Sequence, residues 1–342
     1  MTERVEFADN MTAQISELDE CAIRDALTDA ETLGVGIGGT TSIARIFGHA
    51  VFVKQIPLTT SEAAGSLSTA SPRALPFCSH YGVGSPSCSA GRELGVHLRT
   101  DEWVRRGSAK FFPLLYGWAI LDSPAEIDLS EFESESAQAR WGPAWPTIRE
   151  RIEDLRSANK SIAILQEYVP DTLGDWLRTN LKSGAGSQAF ISAIRQIAMA
   201  TQRMNEFGLH HFDVHPENIL VRDAQLLFTD FGLSVLDDFS LADEESEHLS
   251  RHRGFDRNSG LMSLFHWLLF ELGYVARSDR SAILEVLATR PQSSELDLLR
   301  SAVGDAASLM AANARAALMM TRWFELAVDD PNCAVHRYEN WS

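Results

Sequence analysis

Apolar residues follow a strand pattern in the first half of the chain and a helical pattern in the second half. Residues 1–30 form a polar lead-in that predicts helix. Residues 32–58 place glycines before β-branched and aromatic residues, which predicts strand, glycine turn, strand, short turn and strand. Residues 90–106 carry apolar positions at helical steps, and the segments FFPLLYGWAILD and SIAILQEYV predict two more strands.

Two polar stretches interrupt the strand-rich half. Residues 59–90 are rich in Ser, Thr, Pro and Gly and predict a loop or a loosely ordered insertion. Residues 122–160 are acidic and predict a loop and a helix inserted between two strands. From Thr172 onward, apolar steps of three and four residues predict helices, with one short strand pair, NILV and QLLFTD, among them. Together these elements predict an α+β chain.

Composition and charge narrow the classes of partner. The 342 residues are 45% apolar, as in an ordinary globular protein, and carry a formal net charge of −17. We therefore expect neither nucleic acid nor anionic membrane as a partner, although the acidity could attract a cationic molecule or serve solubility alone. Residues 1–20 lack a secretory h-region. The apolar run 261–273 is too short to span a bilayer. The four cysteines show no metal-type spacing. We expect a cytoplasmic protein.

A glycine-rich turn and one lysine form the first candidate site. The glycines lie between two predicted strands, where they let a backbone turn tightly and approach a phosphate: Gly34, Gly36, Gly38 and Gly39. Lys54 lies among apolar strand residues in VFVKQI and could hold nucleotide phosphates. Taken alone, an ordinary hairpin and a lysine facing water explain these residues as well.

The stretch LHHFDVHPENILV, residues 209–221, places titratable groups between two apolar flanks. Asp213 could orient an acceptor hydroxyl or accept its proton, and Asn218 could bind a metal ion through its side-chain oxygen. His211 could brace the loop. The alternative is a polar turn with capping roles, which the apolar flanks and the five-residue step from Asp213 to Asn218 disfavour.

A further carboxylate follows a predicted strand in LLFTDFGLS. Asp230 precedes Phe231 and Gly232, and a carboxylate beside a flexible glycine suits Mg²⁺, which takes oxygen ligands and bridges phosphates. Considered alone, the segment is also compatible with a strand that ends in an ordinary Asp-containing turn.

The order of these pieces resembles that of the protein-kinase-like superfamily. A glycine hairpin, a strand lysine, Asp-x₄-Asn and Asp-Phe-Gly follow one another between about residues 30 and 275. The resemblance implies a bilobal α+β fold after the lead-in at 1–30. An N-lobe at 31–168 would hold an antiparallel sheet and a helix, with the insertions at 59–90 and 122–160, and a C-lobe at 169–342 would be mainly helical.

The resemblance also implies roles for individual residues, with ATP as co-substrate and Mg²⁺ as cofactor. The four glycines would cover the phosphates, and Lys54 would hold the α- and β-phosphates. Asp213 would be the catalytic aspartate, while Asn218 and Asp230 would bind the metal.

Two further assignments follow from the resemblance. The partner of Lys54 would be a glutamate on the next helix, and Glu93 is the first candidate although it lies unusually far along the chain; Glu102 is the second. The segment QEYVPD resembles the hinge between the lobes, where backbone groups of Glu167 and Val169 would meet adenine.

The sequence departs from Ser/Thr protein kinases in an informative way. His215 stands where those kinases usually have lysine, and the pattern His211-x-Asp213-x-His215-x-x-Asn218 resembles aminoglycoside phosphotransferases and choline kinases. No Ala-Pro-Glu segment follows Asp-Phe-Gly. The overall sequence also resembles a set of bacterial kinase-like proteins without an assigned substrate. His215 would donate a hydrogen bond either to the γ-phosphate or to the loop.

These features predict an ATP-dependent phosphotransferase acting on a hydroxyl. The acceptor is a small molecule, with cationic molecules among the candidates, or a Ser or Thr of a peptide or protein, for which the insertions could form a docking surface. A nucleotide-binding pseudoenzyme with a regulatory or scaffold role is the alternative. A purely structural protein would not explain why the polar motifs occur in this order.

Overall fold

A five-stranded antiparallel sheet occupies the first part of the chain and helices dominate the rest, in a computed structural model that describes residues 2–65, 67–86, 88–290 and 292–339. The predicted α+β class is confirmed. The chain divides into two compact units. Unit 1 comprises the described residues up to Val169 together with 231–246, and unit 2 comprises 170–230 and the described residues from Glu247 onward.

Unit 1 contains the sheet and the helices that cover it. Its elements as far as the boundary are α1 (Thr2–Ile15), α2 (Glu20–Thr28), β1 (Glu31–Gly36), β2 (Gly39–Ile46), β3 (His49–Leu58), α3 (Thr60–Ala64), α4 (Ala90–Arg105), β4 (Leu115–Leu121), α5 (Glu135–Trp141), α6 (Trp145–Arg156) and β5 (Lys160–Glu167). The strand order is β1-β2-β3-β5-β4. β5 lies between β3 and β4 and is buried along nearly its whole length, in agreement with its continuous apolar run.

The core of unit 1 forms where α4 packs on the sheet. Leu94 of α4 joins apolar side chains from three strands, including Ile56 of β3, Leu115 of β4 and Ile164 of β5. Apolar burial of this kind contributes about 25 cal/mol per Å² of surface removed from water. This packing holds α4 against the strand that carries Lys54.

The lead-in is helical, as predicted, but it is not a separate region. Helices α1 and α2 belong to unit 1, and Ala8, Met11, Ile15 and Ile23 are buried in it. A helix that packs through one face needs only a narrow apolar stripe, which these buried residues supply.

The first insertion, 59–90, was predicted to be a loop or a loosely ordered segment, and its described residues include the short helix α3. Helix α3 begins with a capping box between Thr59 and Glu62. Glu62 then forms a buried ion pair with Arg151 of α6, with 3.1 Å between Nη1 and Oε2, and accepts a hydrogen bond from Ala90 N. The first insertion is therefore tied both to the start of α4 and to the second insertion.

Unit 2 is largely helical. In chain order, the elements after β5 are α7 (Leu173–Ser183), α8 (Gly186–Glu206), β6 (Leu209–His210), β7 (Ile219–Arg222), β8 (Gln225–Phe228), β9 (Val235–Leu236), α9 (Asp243–Arg251), α10 (Phe255–Glu271), α11 (Arg277–Thr289), α12 (Ser294–Val303), α13 (Ala306–Asp329) and α14 (Pro331–Glu339). Of these, β9 and the first part of α9 belong to unit 1. The β7–β8 hairpin turns through Asp223 and Ala224, both at positive φ, and forms the predicted strand pair.

The division into two units differs from the predicted lobes at one segment. The predicted C-lobe range 169–342 includes 231–246, which the structure assigns to unit 1. The physical reason is a set of long-range polar contacts from His80 and Arg92 to this segment, which spacing along the chain does not reveal. In the ranges that the structure describes, no helix has the length and apolar character needed to cross a membrane.

Candidate active site

The glycine turn joins β1 to β2 and lies beside Lys54. Gly39 has φ +117°, and an added Cβ would come within 1.9 Å of the Gln55 carbonyl oxygen, so only glycine fits. At Gly38 a Cβ would lie 3.8 Å from Lys54 Nζ, whereas at Gly36 it would meet nothing within 4 Å. The turn therefore brings its backbone close to the lysine ammonium. Gly34 is farther back, next to a β-bulge in β1.

Lys54 pairs with Glu93. Nζ lies 2.7 Å from Glu93 Oε1, and both side chains are buried. Glu93 occupies the first turn of α4, which Ser89 caps by accepting from Arg92 N. Glu102, the second candidate, lies on the exposed last part of α4 and pairs with Arg106 instead. The long separation between Lys54 and Glu93 arises because the first insertion lies between β3 and α4.

Glu167 and Val169 lie at the end of β5. The Glu167 N–H donates to Leu114 O at 2.9 Å, and its carboxylate is bound by Arg4 of α1. Val169 is also buried. Arg4 carries no motif in the sequence, so its contact with Glu167 could not be anticipated.

Asp213 and Asn218 are brought together by the loop between β6 and β7. Asn218 Nδ2 donates to Asp213 Oδ2 at 2.9 Å and to the Asp213 carbonyl at 3.2 Å. The side-chain nitrogen of Asn218 therefore points toward Asp213. The side-chain oxygen of Asn218 points away from Asp213. A backbone hydrogen bond from Thr229 N to Asn218 O, at 3.0 Å, places the residue before Asp230 beside Asn218.

His215 lies between two carboxylates. Its Nε2 is 3.6 Å from Asp213 Oδ1 and its Nδ1 is 3.3 Å from Glu217 Oε2. Burial lowers the pKa of His215, but hydrogen bonds and charge from Asp213 and Glu217 outweigh it and raise the pKa to about 10. His215 is therefore an imidazolium at neutral pH and supplies a positive charge beside Asp213.

Buried groups hold the backbone of this loop. His211 Nδ1 accepts from Asp213 N, and its Nε2 lies 3.1 Å from the Thr229 carbonyl, so His211 links the loop to the β8 end. Asp256 of α10 accepts from His211 N and Phe212 N, each at 2.8 Å. Phe212 has φ +64°, a strained conformation that these bonds maintain.

Asp256 is a residue that the sequence reasoning missed. In the segment RHRGFD, residues 251–256, His252 and Asp256 are almost fully buried, and the nearby His248 is buried as well. A charged residue at the start of the very apolar helix α10 was the available signal, since a buried carboxylate requires hydrogen-bond donors.

Asp230 adopts a left-handed conformation with φ +63°, which is uncommon for a non-glycine residue and marks many functional positions. In unit 1, the next residue, Phe231, packs its ring against His97 of α4 and against Phe112, with centroids 4.8 Å and 6.0 Å apart. The segment after Asp230 is thereby fixed to the helix that carries Glu93.

A second buried cluster in unit 1 secures the same segment. His80 lies with Nδ1 2.8 Å from the Leu233 carbonyl and Nε2 3.3 Å from Glu245 Oε1, and Arg92 binds Glu245 with two nitrogens. Burial lowers the pKa of His80, but Cys88 and Glu245 raise it to about 9. None of these pairings follows from spacing in the sequence.

The donor set suits a magnesium ion. Asn218 and Asp230 offer oxygen ligands, and Mg²⁺ in phosphoryl-transfer sites takes few protein ligands, with the remainder from phosphates and water. Within the ranges that the structure describes, no group of three or more His, Cys, Asp or Glu side chains could hold a metal by itself. A site of this kind would be completed by a bound nucleotide.

No protein-family model matches this chain, and no curated protein matches its sequence.

Proposed function

We propose that the chain is an ATP-dependent phosphotransferase with a protein-kinase-like fold, which moves the γ-phosphate of ATP to an acceptor hydroxyl. The observation that carries the proposal is the Lys54–Glu93 pair at 2.7 Å beside the glycine turn. A buried lysine held by a glutamate presents a fixed ammonium, and a glycine backbone beside it leaves room for phosphate.

The remaining roles follow from phosphoryl-transfer chemistry, which depends on positioning and charge neutralisation. Lys54 holds the α- and β-phosphates. Mg²⁺ on Asn218 and Asp230 would neutralise charge on the β- and γ-phosphates. Asp213 orients the acceptor hydroxyl and accepts its proton as the oxygen attacks the γ-phosphorus, while the bond from the γ-phosphorus to the β–γ bridging oxygen breaks and ADP leaves.

Asp213 is prepared for that role by its neighbours. Asn218 holds one carboxylate oxygen through a hydrogen bond, and the His215 imidazolium lies near the other. His215 carries the charge that a lysine would supply at this position, and donates toward the transferred phosphate once the acceptor displaces its contact with Asp213. His211 and Asp256 keep the loop backbone in place.

The acceptor is a small molecule or a Ser or Thr in a peptide. The acidic surface implied by a net charge of −17 favours a cationic acceptor in either class. His215 and the absence of an Ala-Pro-Glu segment favour the small molecule.

Transfer of label from γ-labelled ATP with Mg²⁺ tests the proposal. One pool of cationic amino alcohols and aminoglycosides and one pool of Ser/Thr peptides would be offered, with products sorted by mass and Asp213→Asn as control. Label on an acceptor that is lost in the variant supports the proposal and identifies the acceptor class. MgATP binding without transfer in either pool would instead favour a nucleotide-binding pseudoenzyme.

A further inference from the structure

Glu167 is a buried carboxylate at the end of β5, with 3% of its side chain exposed. Burying an isolated carboxylate costs several kcal/mol unless donors surround it. One donor is the Leu114 N–H, which lies 3.1 Å from Oε2. Arg4 of the N-terminal helix α1 supplies further donors.

Arg4 of α1 supplies a fork that matches this carboxylate. Its Nε lies 2.9 Å from Oε1 and its Nη2 lies 2.5 Å from Oε2 of Glu167. The same Nη2 donates to the Phe112 carbonyl at 2.7 Å. A planar guanidinium fixes both the distance and the orientation of its partner, so Arg4 sets the position of the Glu167 side chain and, through it, the end of β5.

The other end of α1 is fixed to α4. Arg105, in the last turn of α4, binds Asp9 and lies 3.3 Å from the Thr12 hydroxyl. Arg105 also donates to the Leu115 carbonyl at 3.0 Å. Helix α1 therefore joins the end of β5 to the helix that carries Glu93, the partner of Lys54.

We propose that α1 is part of the nucleotide-binding machinery, and that Arg4 is a positioning residue which holds the adenine-binding end of β5 through Glu167. The inference rests on the proposed function. The resemblance assigns backbone groups of Glu167 and Val169 to adenine, and Arg4 holds the side chain of the first of these two residues. Without Arg4, the buried Glu167 carboxylate loses the hydrogen bonds from this guanidinium. Its side chain then moves toward water, which displaces the backbone at the end of β5.

Binding of adenosine and of MgATP to the full chain separates this role from the phosphate contacts. Dissociation constants would be measured by displacement of a fluorescent ATP analogue from the wild type, Arg4→Ala, Arg4→Lys, Glu167→Gln and Lys54→Met. Arg24→Ala is the matched control, because Arg24 lies on α2 in an exposed contact with Glu20. Circular dichroism and thermal unfolding would report folding, and Arg4→Lys and Glu167→Gln carry the test where Arg4→Ala does not fold.

Arg4→Ala is expected to raise the dissociation constants of adenosine and MgATP by the same factor, about tenfold, since a buried charge pair is broken. Arg4→Lys should recover only part of the loss, because an ammonium cannot form the fork. Lys54→Met should weaken MgATP and leave adenosine unchanged. Equal affinities in the Arg4 variants and the Arg24 control, or a loss for MgATP alone, would overturn the inference. A wild type that binds neither ligand would refute the proposed function, and the inference with it.

Discussion

Two pairs of opposite charges lie in different surroundings in the two units. In unit 1, Lys54 and Glu93 are 2.7 Å apart and their side chains are 9% and 1% exposed. In unit 2, His215 and Asp213 are 3.6 Å apart and their side chains are 34% and 33% exposed. A buried pair holds a fixed geometry, whereas a partly exposed pair can exchange partners with a ligand. Under the proposed function, Lys54 in unit 1 would therefore act as a fixed charge, whereas Asp213 and His215 in unit 2 would change partners when substrates bind.

The largest expected effect concerns the partly exposed pair, Asp213 and His215. Asp213→Asn keeps the size of the side chain but removes the base, so turnover should fall by about 10²–10⁴-fold while the dissociation constant of MgATP changes little. Initial rates of label transfer and a binding titration would measure both quantities. Asp223→Asn, in the exposed turn of the β7–β8 hairpin, is the matched control. A variant that retained full turnover would remove Asp213 from the chemistry.

Substitution in the buried pair, Lys54 and Glu93, should instead lower stability and weaken MgATP binding. Lys54→Met leaves Glu93 without this cation and should lower the free energy of unfolding by about 3 kcal/mol, besides weakening MgATP binding. Replacing both residues, as in Lys54→Met with Glu93→Leu, should recover most of the stability and none of the binding, because an apolar pair can replace a buried ion pair.

Denaturant unfolding and calorimetric titration would check this prediction. Lys160→Met is its control, since Lys160 is also a strand lysine but pairs with Asp122 at the exposed surface. Recovery of MgATP binding in the double variant would show that Lys54 does not hold the phosphates.

A smaller effect is expected at Asp256, which holds the backbone of the loop between β6 and β7. Asp256→Asn removes a charged acceptor of two buried N–H groups and should cost about 1.5–3 kcal/mol of stability, with a fall in turnover that follows from loop displacement. Thermal unfolding of this variant would be compared with Asp297→Asn, an exposed substitution on α12. Equal unfolding temperatures would show that Asp256 does not brace the loop.

The smallest effect is a pH dependence. The pKa of His215 is raised to about 10 from its ordinary value of 6.5, against burial and because of Asp213 and Glu217. Its contribution to stability is therefore fully present below pH 6.5 and is lost as the pH rises through about 10. The NMR resonances of the His215 ring should stay in the protonated position from about pH 6 to 8. Titration of that ring near its ordinary pKa would contradict the predicted ion pairs, and His215→Gln assigns the signal.

The motifs and the supports around them differ in how far the sequence could reveal them. Asp213 and Asn218 share one short loop between apolar flanks, so local spacing indicated both, whereas Lys54 taken alone could equally face water and was indicated only by the order of the motifs. Glu93 required the resemblance to a family, because an insertion separates it from Lys54. The structure shows the pair itself.

The supporting residues were missed for one shared physical reason. Arg4 meets Glu167, and Asp256 meets the backbone at His211, across long separations in the chain. Such contacts depend on how helices pack, and no local period or motif records them. The same holds for the His80 and Arg92 contacts that place 231–246 in unit 1.

The central claim is that one set of residues holds the nucleotide and another transfers its phosphate. Its most direct test measures MgATP affinity and the rate of γ-phosphate transfer side by side for the wild type, Lys54→Met and Asp213→Asn. The account predicts that Lys54→Met loses affinity, whereas Asp213→Asn binds as tightly as the wild type and transfers almost nothing. A wild type that neither binds MgATP nor transfers phosphate, or an Asp213→Asn variant that transfers at the wild-type rate, would contradict it.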